Sequence, residues 1–342
     1  MPGSDRTSRP QPPKGASRLP GDGRPDRLLD VLYARRGQFV MVSELAHGAA
    51  VAMKEVPSAL EQLRRRGHRL QTSPGGIMLE RPVVIDSHLV EHGLDTRRVG
   101  RHVLCFGVTD STNDVAMSGA AQKDADGLAV FAHAQRRGRG RFGRSWSSPA
   151  GANVLMSVLL VEAPQPLPHE ALTIAAALAV AEAAQEVCGA PCRLRWPNDV
   201  LLEGRKTAGV LVERRRGRGQ AATVIGIGVN VNAAPPASQI GREAACLAQH
   251  AGEPIECNEV ARAVLRRLDD WLARLARPEE AEALHQAWQQ RCGTLGMRLR
   301  VLCDGKVYQG RVVDVSPLEG LMLSCDDGRQ LHLPAERSTV VD

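Results

Sequence analysis

The chain has 342 residues, 43% of them hydrophobic and 24% charged, the balance of a soluble globular protein and more than one small core accommodates, so two or three domains are expected. Its formal net charge of +6 admits anionic partners without requiring them, because a solvated basic surface gives the same sum. Eight cysteines, scattered with no C-x-x-C pair and no accompanying histidines, exclude a zinc-finger pattern and read as buried free thiols in a reducing compartment.

In chain order, residues 1–24 are rich in Pro, Gly and Arg and lack the apolar core of a signal peptide, which predicts a disordered tail. Residues 25–82 read as helix, helix, helix, hairpin. Leu28, Leu29, Val31 and Leu32 mark the first helix, Ser43 is placed to cap the second, and Val56, Leu60 and Leu63 space the third from Lys54 to Arg66. Pro57 suits only a first helical turn. HRLQT and IMLE flank the turn SPGG, completing the layout of a winged helix-turn-helix.

Residues 83–291 alternate strands and helices. HVLCFGV, LAVFAHA, NVLMSVLL, VLLE, KTAGVLVE and TVIGIGVNV read as strands. A helix over EALTIAAALAVAEAAQEV and a pair between Asn258 and Gln290 would cover the sheet, an α+β arrangement with a mixed sheet. The most apolar stretch, Ala171 to Ala181, is too short to span a bilayer, so no membrane association and a cytoplasmic location are expected. Residues 292–342 carry only short alternating runs (RLRVLC, VYQGRVVDV, LMLSC, RQLHLP) broken by DG and EG turns, which suggests a small SH3-like β-barrel.

Four motifs bear chemistry. GRGRFGR, residues 138–144, follows the strand LAVFAHA and formally contains G-x-G-x-x-G. A dinucleotide fold needs a helix directly after the glycines, and the turn-rich SWSSPAGA leads into a strand instead. No GK[ST] closes a Walker loop. What remains is pliable backbone carrying Arg139, Arg141 and Arg144, which can fork onto carboxylate or phosphate, or an Arg/Gly surface loop of the RNA-binding type. Ser111, Thr112 and Asn113 end the strand HVLCFGV; they form either a capping box with Asp114 or a polar cluster for a small head group. In RLRWPNDVLLEGRKTAGVLVE, Pro197-Asn198-Asp199 is a turn signal of a surface meander, and Lys206 is either a hairpin lysine or one aimed into a site. Lysine occurs only at Lys14, Lys54, Lys123, Lys206 and Lys306, every other positive charge being arginine, so a lysine inside a motif is informative. Gly226 and Gly228, before Asn230, let a ligand lie against the strand backbone.

In this order, DSTN, Gln135 with GRGRFGR, WPND, GRKTAGVLVE and GIGVNVN resemble the motif series of biotin–protein ligases. The winged helix in front is similar to the bifunctional type that also represses a biotin operon. The resemblance implies a class II synthetase-like central domain and a reaction in which biotin attacks the α-phosphate of ATP, with Mg²⁺, and the biotinyl-5′-AMP then acylates a lysine of a carrier protein, usually the biotin carboxyl carrier of acetyl-CoA carboxylase.

By the same resemblance, Ser111, Thr112, Asn113, Gln135, Arg139, Gly140, Arg141 and Lys206 hold biotin. Arg141, Arg144, Trp146, Asn198, Lys206, Gly226 and Asn230 border ATP. Lys206, Arg139, Arg141 and Asp199 are the catalytic set, with Asp199 orienting or deprotonating the incoming amine, and the loop 136–146 is expected to order on ligand. No metal ligand is assigned. Arg195 stands where the family usually has Lys, and the C-terminal AERSTVV matches the family ending poorly, so no site residue is expected there. Lys54, Arg64 and Arg65 are the candidate DNA contacts for an operator-binding, ligand-promoted homodimer. A lipoate-type ligase and a ligand-sensing repressor without ligase activity are the alternative readings.

Overall fold

A computed structural model of the chain describes residues 23–122, 124–161, 166–215, 221–316 and 318–341; nearly all of the expected tail, residues 1–24, lies outside them. The N-terminal helices are α1 (Arg24–Ala34), α2 (Val42–Gly48) and α3 (Val56–Arg65), followed by the hairpin β1 (Leu70–Ser73) and β2 (Gly76–Leu79). Pro25 and Pro57 sit in first turns, where their missing N–H has no helical partner to lose. Leu28, Leu29, Leu32, Leu45, Leu60 and Leu63 close a separate core over the hairpin's Ile77 and Leu79.

Two expectations are corrected here. α2 begins at Val42 with Met41 as N-cap and no side-chain cap, so Ser43 lies inside the helix and caps nothing. α3 starts at Val56, because residues Met53–Glu55 wind as a 3₁₀ turn; Lys54 is in that turn and not at the head of the helix.

α4 (Ser87–Glu91) is capped by Asp86, whose carboxylate accepts from the His88 N–H at 2.9 Å and meets His68 Nε2 at 3.1 Å and Arg66 at 3.6 Å. Burial by itself would raise the Asp86 pKa. The hydrogen bond and charge of His68, aided by Arg66, outweigh it and hold the value at about 2 against an ordinary 3.8. A folded pKa below the unfolded one contributes stability that is present above pH ~4 and disappears as pH falls through about 2. The difference amounts to about 2 kcal/mol. Asp86→Asn should therefore flatten the fall of unfolding free energy between about pH 4 and pH 2, read by urea titration at stepped pH.

The central sheet uses β3 (Val103–Thr109), β4 (Ala129–Gln135), β5 (Val154–Val161), β6 (Arg193–Arg195), β7 (Asp199–Leu202), β8 (Arg205–Arg215) and β9 (Ala222–Val229), with α5 (Thr112–Ser118) after β3 and α6 (His169–Cys188) after β5. Its order is β3-β4-β5-β9-β8-β7-β6; β3 and β4 are parallel and all other pairs antiparallel. The fold is thus α+β with a mixed sheet. α6 packs on one face, with α7 (Ala237–Ile240), α8 (Leu247–Ala251), α9 (Cys257–Leu275) and α10 (Ala281–Arg291) following β9.

The helix α6 is longer than its apolar run suggested. At 20 residues it is long and apolar enough to cross a bilayer, yet 67% of its apolar window is buried within the fold. Its acidic edge is accommodated by Glu186 pairing with Arg266 and Arg267 of α9.

The remaining strands, β10 (Arg298–Cys303), β11 (Lys306–Ser316), β12 (Gly320–Cys325), β13 (Gln330–Pro334) and β14 (Ser338–Val341), form an antiparallel sheet in the order β13-β12-β11-β10-β14. No ladder joins the edge strands β13 and β14 among the described residues. All eight cysteines are free, and burial pushes the Cys192 and Cys257 thiols up to about 12, so they stay protonated and inert.

Candidate active site

One cavity of about 550 Å³ opens on the face of the central sheet away from α6, a size typical of small-ligand sites. Its floor is made by residues that alternate onto one side of β8, β9 and β5. Gly209 pairs with Gly228, and Leu211 with Gly226, which in turn pairs with Ser157. The floor glycines are there for clearance: a Cβ on Gly228 would lie 2.4 Å from the Trp146 indole, and one on Gly226 would lie 2.3 Å from Asn113 Oδ1. What rests against the bare backbone is therefore a pair of the protein's own side chains, where a ligand was expected.

The head of the cavity is a buried hydrogen-bond cluster. Gln135 Oε1 accepts from the Thr112 N–H at 2.7 Å and from its hydroxyl at 3.1 Å. Ser157 Oγ lies 2.7 Å from Thr112 Oγ1 and 2.5 Å from Asn113 Oδ1, and Asn113 Nδ2 donates to Glu213 at 2.6 Å. Ser111 is the N-cap of α5 by position, but its side chain makes no cap hydrogen bond, and Asp114 points to Arg139. The capping-box alternative is not what forms.

Lys206 reaches this face through a bulge. Asp199 pairs with Gly209 and Val200 with Ala208, but Leu201 pairs with Lys206, so Thr207 is the extra residue. Strict alternation from Gly209 would send Lys206 to the opposite side; one bulged residue flips it back. Lys206 Nζ then lies 2.5 Å from Asp199 Oδ1, and Arg195 donates to Asp199 Oδ2 at 2.8 Å. The three side chains are only 12–17% exposed. Burial would raise the Asp199 pKa, but Lys206 and then Arg195 more than offset it and hold the carboxyl below its usual range. The surface meander expected for WPND is corrected: Trp196 and Asp199 are buried. A carboxylate held between two cations is a weaker proton acceptor than a free one.

The glycine-arginine loop doubles back on itself, with Gly140 N–H bonding Arg144 O at 2.7 Å and Trp146 N–H bonding Gly138 O at 2.8 Å. Phe142 (φ 55°) and Gly143 (φ 72°) make the left-handed reversal at its tip. All its arginines have protein partners. Arg139 forks onto Asp114 at 2.7 and 2.8 Å and touches Glu213 at 3.2 Å, which raises its pKa, the Asp114 hydrogen bond contributing most. Arg141 donates to Ala335 O at 2.7 Å, and Arg144 to Thr339 Oγ1 at 2.9 Å.

Every residue expected to hold biotin or ATP lines this cavity: Ser111, Thr112, Asn113, Gln135, Arg139, Gly140, Arg141, Arg144, Trp146, Asn198, Lys206, Gly226 and Asn230, with Asp199 beside them. The guanidinium groups of the loop do not converge on Lys206 here; they are turned to Asp114, Glu213 and the C-terminal sheet. Three cavity-lining residues have a buried polar atom, Trp146 Nε1, Trp196 Nε1 and Asn230 Oδ1, with no hydrogen-bond partner among the described residues, as expected of groups kept for a ligand. Lys54, Arg64 and Arg65 lie apart from the cavity and are exposed, Arg64 reaching Thr72 at 3.4 Å and Arg65 pairing with Glu61 at 3.4 Å.

The sequence reading missed Ser157, Glu213 and the β14 residues Thr339, Val340 and Val341, which line or support the cavity. A lone hydroxyl in the apolar run NVLMSVLL was a usable signal for Ser157, and alternation from Gly209 was one for Glu213. Nothing local marks β14, because it joins the cavity only through tertiary packing.

Residues 105–230 match the model of the Biotin/lipoate A/B protein ligase family. The chain is 35% identical over 241 residues to the biotin–[acetyl-CoA-carboxylase] ligase of Paracoccus denitrificans, covering 67% of this chain and 96% of that protein. It is 27% identical over 312 residues to the bifunctional ligase/repressor BirA of Bacillus subtilis (strain 168), covering 88% and 94%. Among solved structures, the biotin protein ligase from Aquifex aeolicus in complex with biotin and ATP superposes with a TM-score of 0.58 at 25% identity, over 70% of this chain and 99% of that one.

Proposed function

The chain belongs to the biotin protein ligase family and is a biotin–[acetyl-CoA-carboxylase] ligase, and from that premise we propose how its residues divide the work. Ser111, Thr112, Asn113 and Gln135 hold the biotin head group, and Arg139, Gly140 and Arg141 close over its carboxylate. Arg144, Trp146, Asn198, Gly226 and Asn230 border the nucleotide. A carboxylate oxygen attacks the α-phosphorus, the bond to pyrophosphate breaks, and the acceptor lysine's amine then displaces AMP from the acyl carbon. Two anions must meet for the first step, so a fixed ammonium at Lys206 lowers the barrier by following charge from carboxylate to phosphate. The observation that carries this division is the cavity itself, which the motif residues line together with Lys206.

Loop closure requires Arg139 and Arg141 to exchange protein partners for ligand oxygens, which supports a loop 136–146 that orders on ligand and shields a reactive mixed anhydride from water. Asp199 is the single carboxylate lining the cavity among the described residues, and two cations already hold it. This donor set fits Mg²⁺ only as an ion carried on the triphosphate, whose own oxygens supply most of its ligands, and no residue is assigned to it.

The proposal extends to the flanking regions. Residues 25–82 form a winged helix-turn-helix, 83–291 the class II synthetase-like catalytic unit and 292–342 an SH3-like unit. The exposed Lys54, Arg64 and Arg65 and the bifunctional name of the Bacillus relative support operator binding by a ligand-promoted homodimer. The carrier is the biotin carboxyl carrier protein of acetyl-CoA carboxylase, in the cytoplasm.

Incubation with ATP and either biotin or lipoate, scored for acyl-adenylate and for labelled carrier, tests the ligase reading. Biotin should give both products and lipoate neither; adenylate without carrier label, or lipoate turnover, would contradict it. For the repressor half, binding to a biotin-operon promoter fragment should weaken steeply with salt and strengthen with biotin plus ATP. No binding at low salt would refute that half.

A further inference from the structure

Resting on the cavity as a biotin site, we propose that Glu213 is a specificity-determining positioning residue: it holds the Asn113 carboxamide with its carbonyl oxygen turned inward, so that the cavity offers an acceptor to a ureido N–H. Asn113 is 6% exposed and Ser157 fully buried, so the amide's orientation is set by neighbours and not by solvent.

The inner neighbours cannot set it. Thr112 gives its hydroxyl proton to Gln135 Oε1, which leaves Thr112 Oγ1 able to accept from Ser157 at 2.7 Å. Ser157 has a single proton and two candidate acceptors. If it donates to Asn113 at 2.5 Å, the amide oxygen must face inward. If it donates to Thr112, Ser157 can equally accept from the Asn113 NH₂. The cluster of Gln135, Thr112 and Ser157 is therefore satisfied by either orientation.

Glu213 breaks the tie. An ionised carboxylate only accepts, so at 2.6 Å it must meet Nδ2. Before the loop closes its charge faces Arg139 Nη2, 3.2 and 3.4 Å from its two oxygens, a charge-assisted contact, and the 2.6 Å bond to Asn113 stands apart from it. Register delivers it: Gly209, Leu211 and Glu213 alternate onto the cavity face of β8, and Leu211 pairs with the bare Gly226 over which the Asn113 oxygen sits. A donor-bearing cyclic urea then finds an acceptor, whereas a flipped amide would oppose it with N–H against N–H.

The test compares biotin with analogues methylated at either ureido nitrogen, in the full chain with ATP. Glu213→Leu should raise KM for biotin roughly 10-fold or more with kcat nearly unchanged, and should erase discrimination against one of the methylated analogues by a similar factor. Glu213→Gln, nearly isosteric and able to pair with either amide end, should fall between. Asn113→Asp combined with Glu213→Gln should recover discrimination, because the aspartate keeps an acceptor inward while the glutamine donates to its other oxygen. A KM within twofold of the unmodified protein, unaltered discrimination in both Glu213 variants, or a loss confined to kcat overturns the assignment. If the unmodified chain binds no biotin, the site reading itself fails; if it binds biotin and Glu213→Leu binds it equally well, only the role of Glu213 does.

Discussion

Lys206→Ala is expected to lower the rate of biotin-dependent pyrophosphate release by about 10²–10³-fold, the usual consequence of removing one fixed donor from developing charge. The protein should nevertheless stay folded. Lys206 and Arg195 both hold the buried Asp199 carboxylate, so deleting the ammonium still leaves Asp199 paired with Arg195 at 2.8 Å. Arg141→Gly should instead spare much of adenylate formation and let the product escape, because Arg141 belongs to the loop proposed to close over it. Single-turnover assays following adenylate and labelled carrier separate the two defects. Unchanged formation, retention and transfer in both variants would remove these residues from the chemistry.

Asp199→Leu should be the most destabilising substitution in the site. It takes away the carboxylate that Lys206 and Arg195 share, at side chains that are 17% and 12% exposed. Removing the central partner of a buried ion group costs about 3–5 kcal/mol, mostly through the charges left behind. Tm should fall on the order of 10 °C, against a much smaller fall for Lys206→Ala. Thermal unfolding of the two variants side by side measures this. Equal Tm values would mean that Asp199 is not what neutralises this group.

The contrast also bears on what Asp199 does in turnover. A carboxyl held below its usual pKa by Lys206 and Arg195 keeps those cations in place and stays ionised. Asp199→Asn should therefore impair transfer through mispositioned Lys206, read as a lower rate of carrier labelling from preformed adenylate.

Much of this was legible in the sequence because it depends on local physics. Glycines with arginines give a pliable cationic loop wherever they stand, and Pro25 and Pro57 mark helix starts through a missing donor. The apolar alternation of β3, β4, β5, β8 and β9 fixes which runs become strands, and the motif order from Ser111 to Asn230 named a common site before any of its members were neighbours.

Tertiary structure decided what depends on pairing across the chain. The bulge at Thr207 turns Lys206 to the Asp199 side, against the strand's own alternation. Arg139, Arg141 and Arg144 were legible as cations but not as partners of Asp114, Ala335 and Thr339, since hydrogen-bond partners up to 195 residues away in sequence leave no local mark. The role of the floor glycines was also settled there: only packing shows that their missing Cβ atoms make room for Trp146 and Asn113. Periodicity and turn chemistry act over a few residues and can be read along a line; register, clearance and charge pairing are set by distances in space, and the sequence holds those only after it has folded.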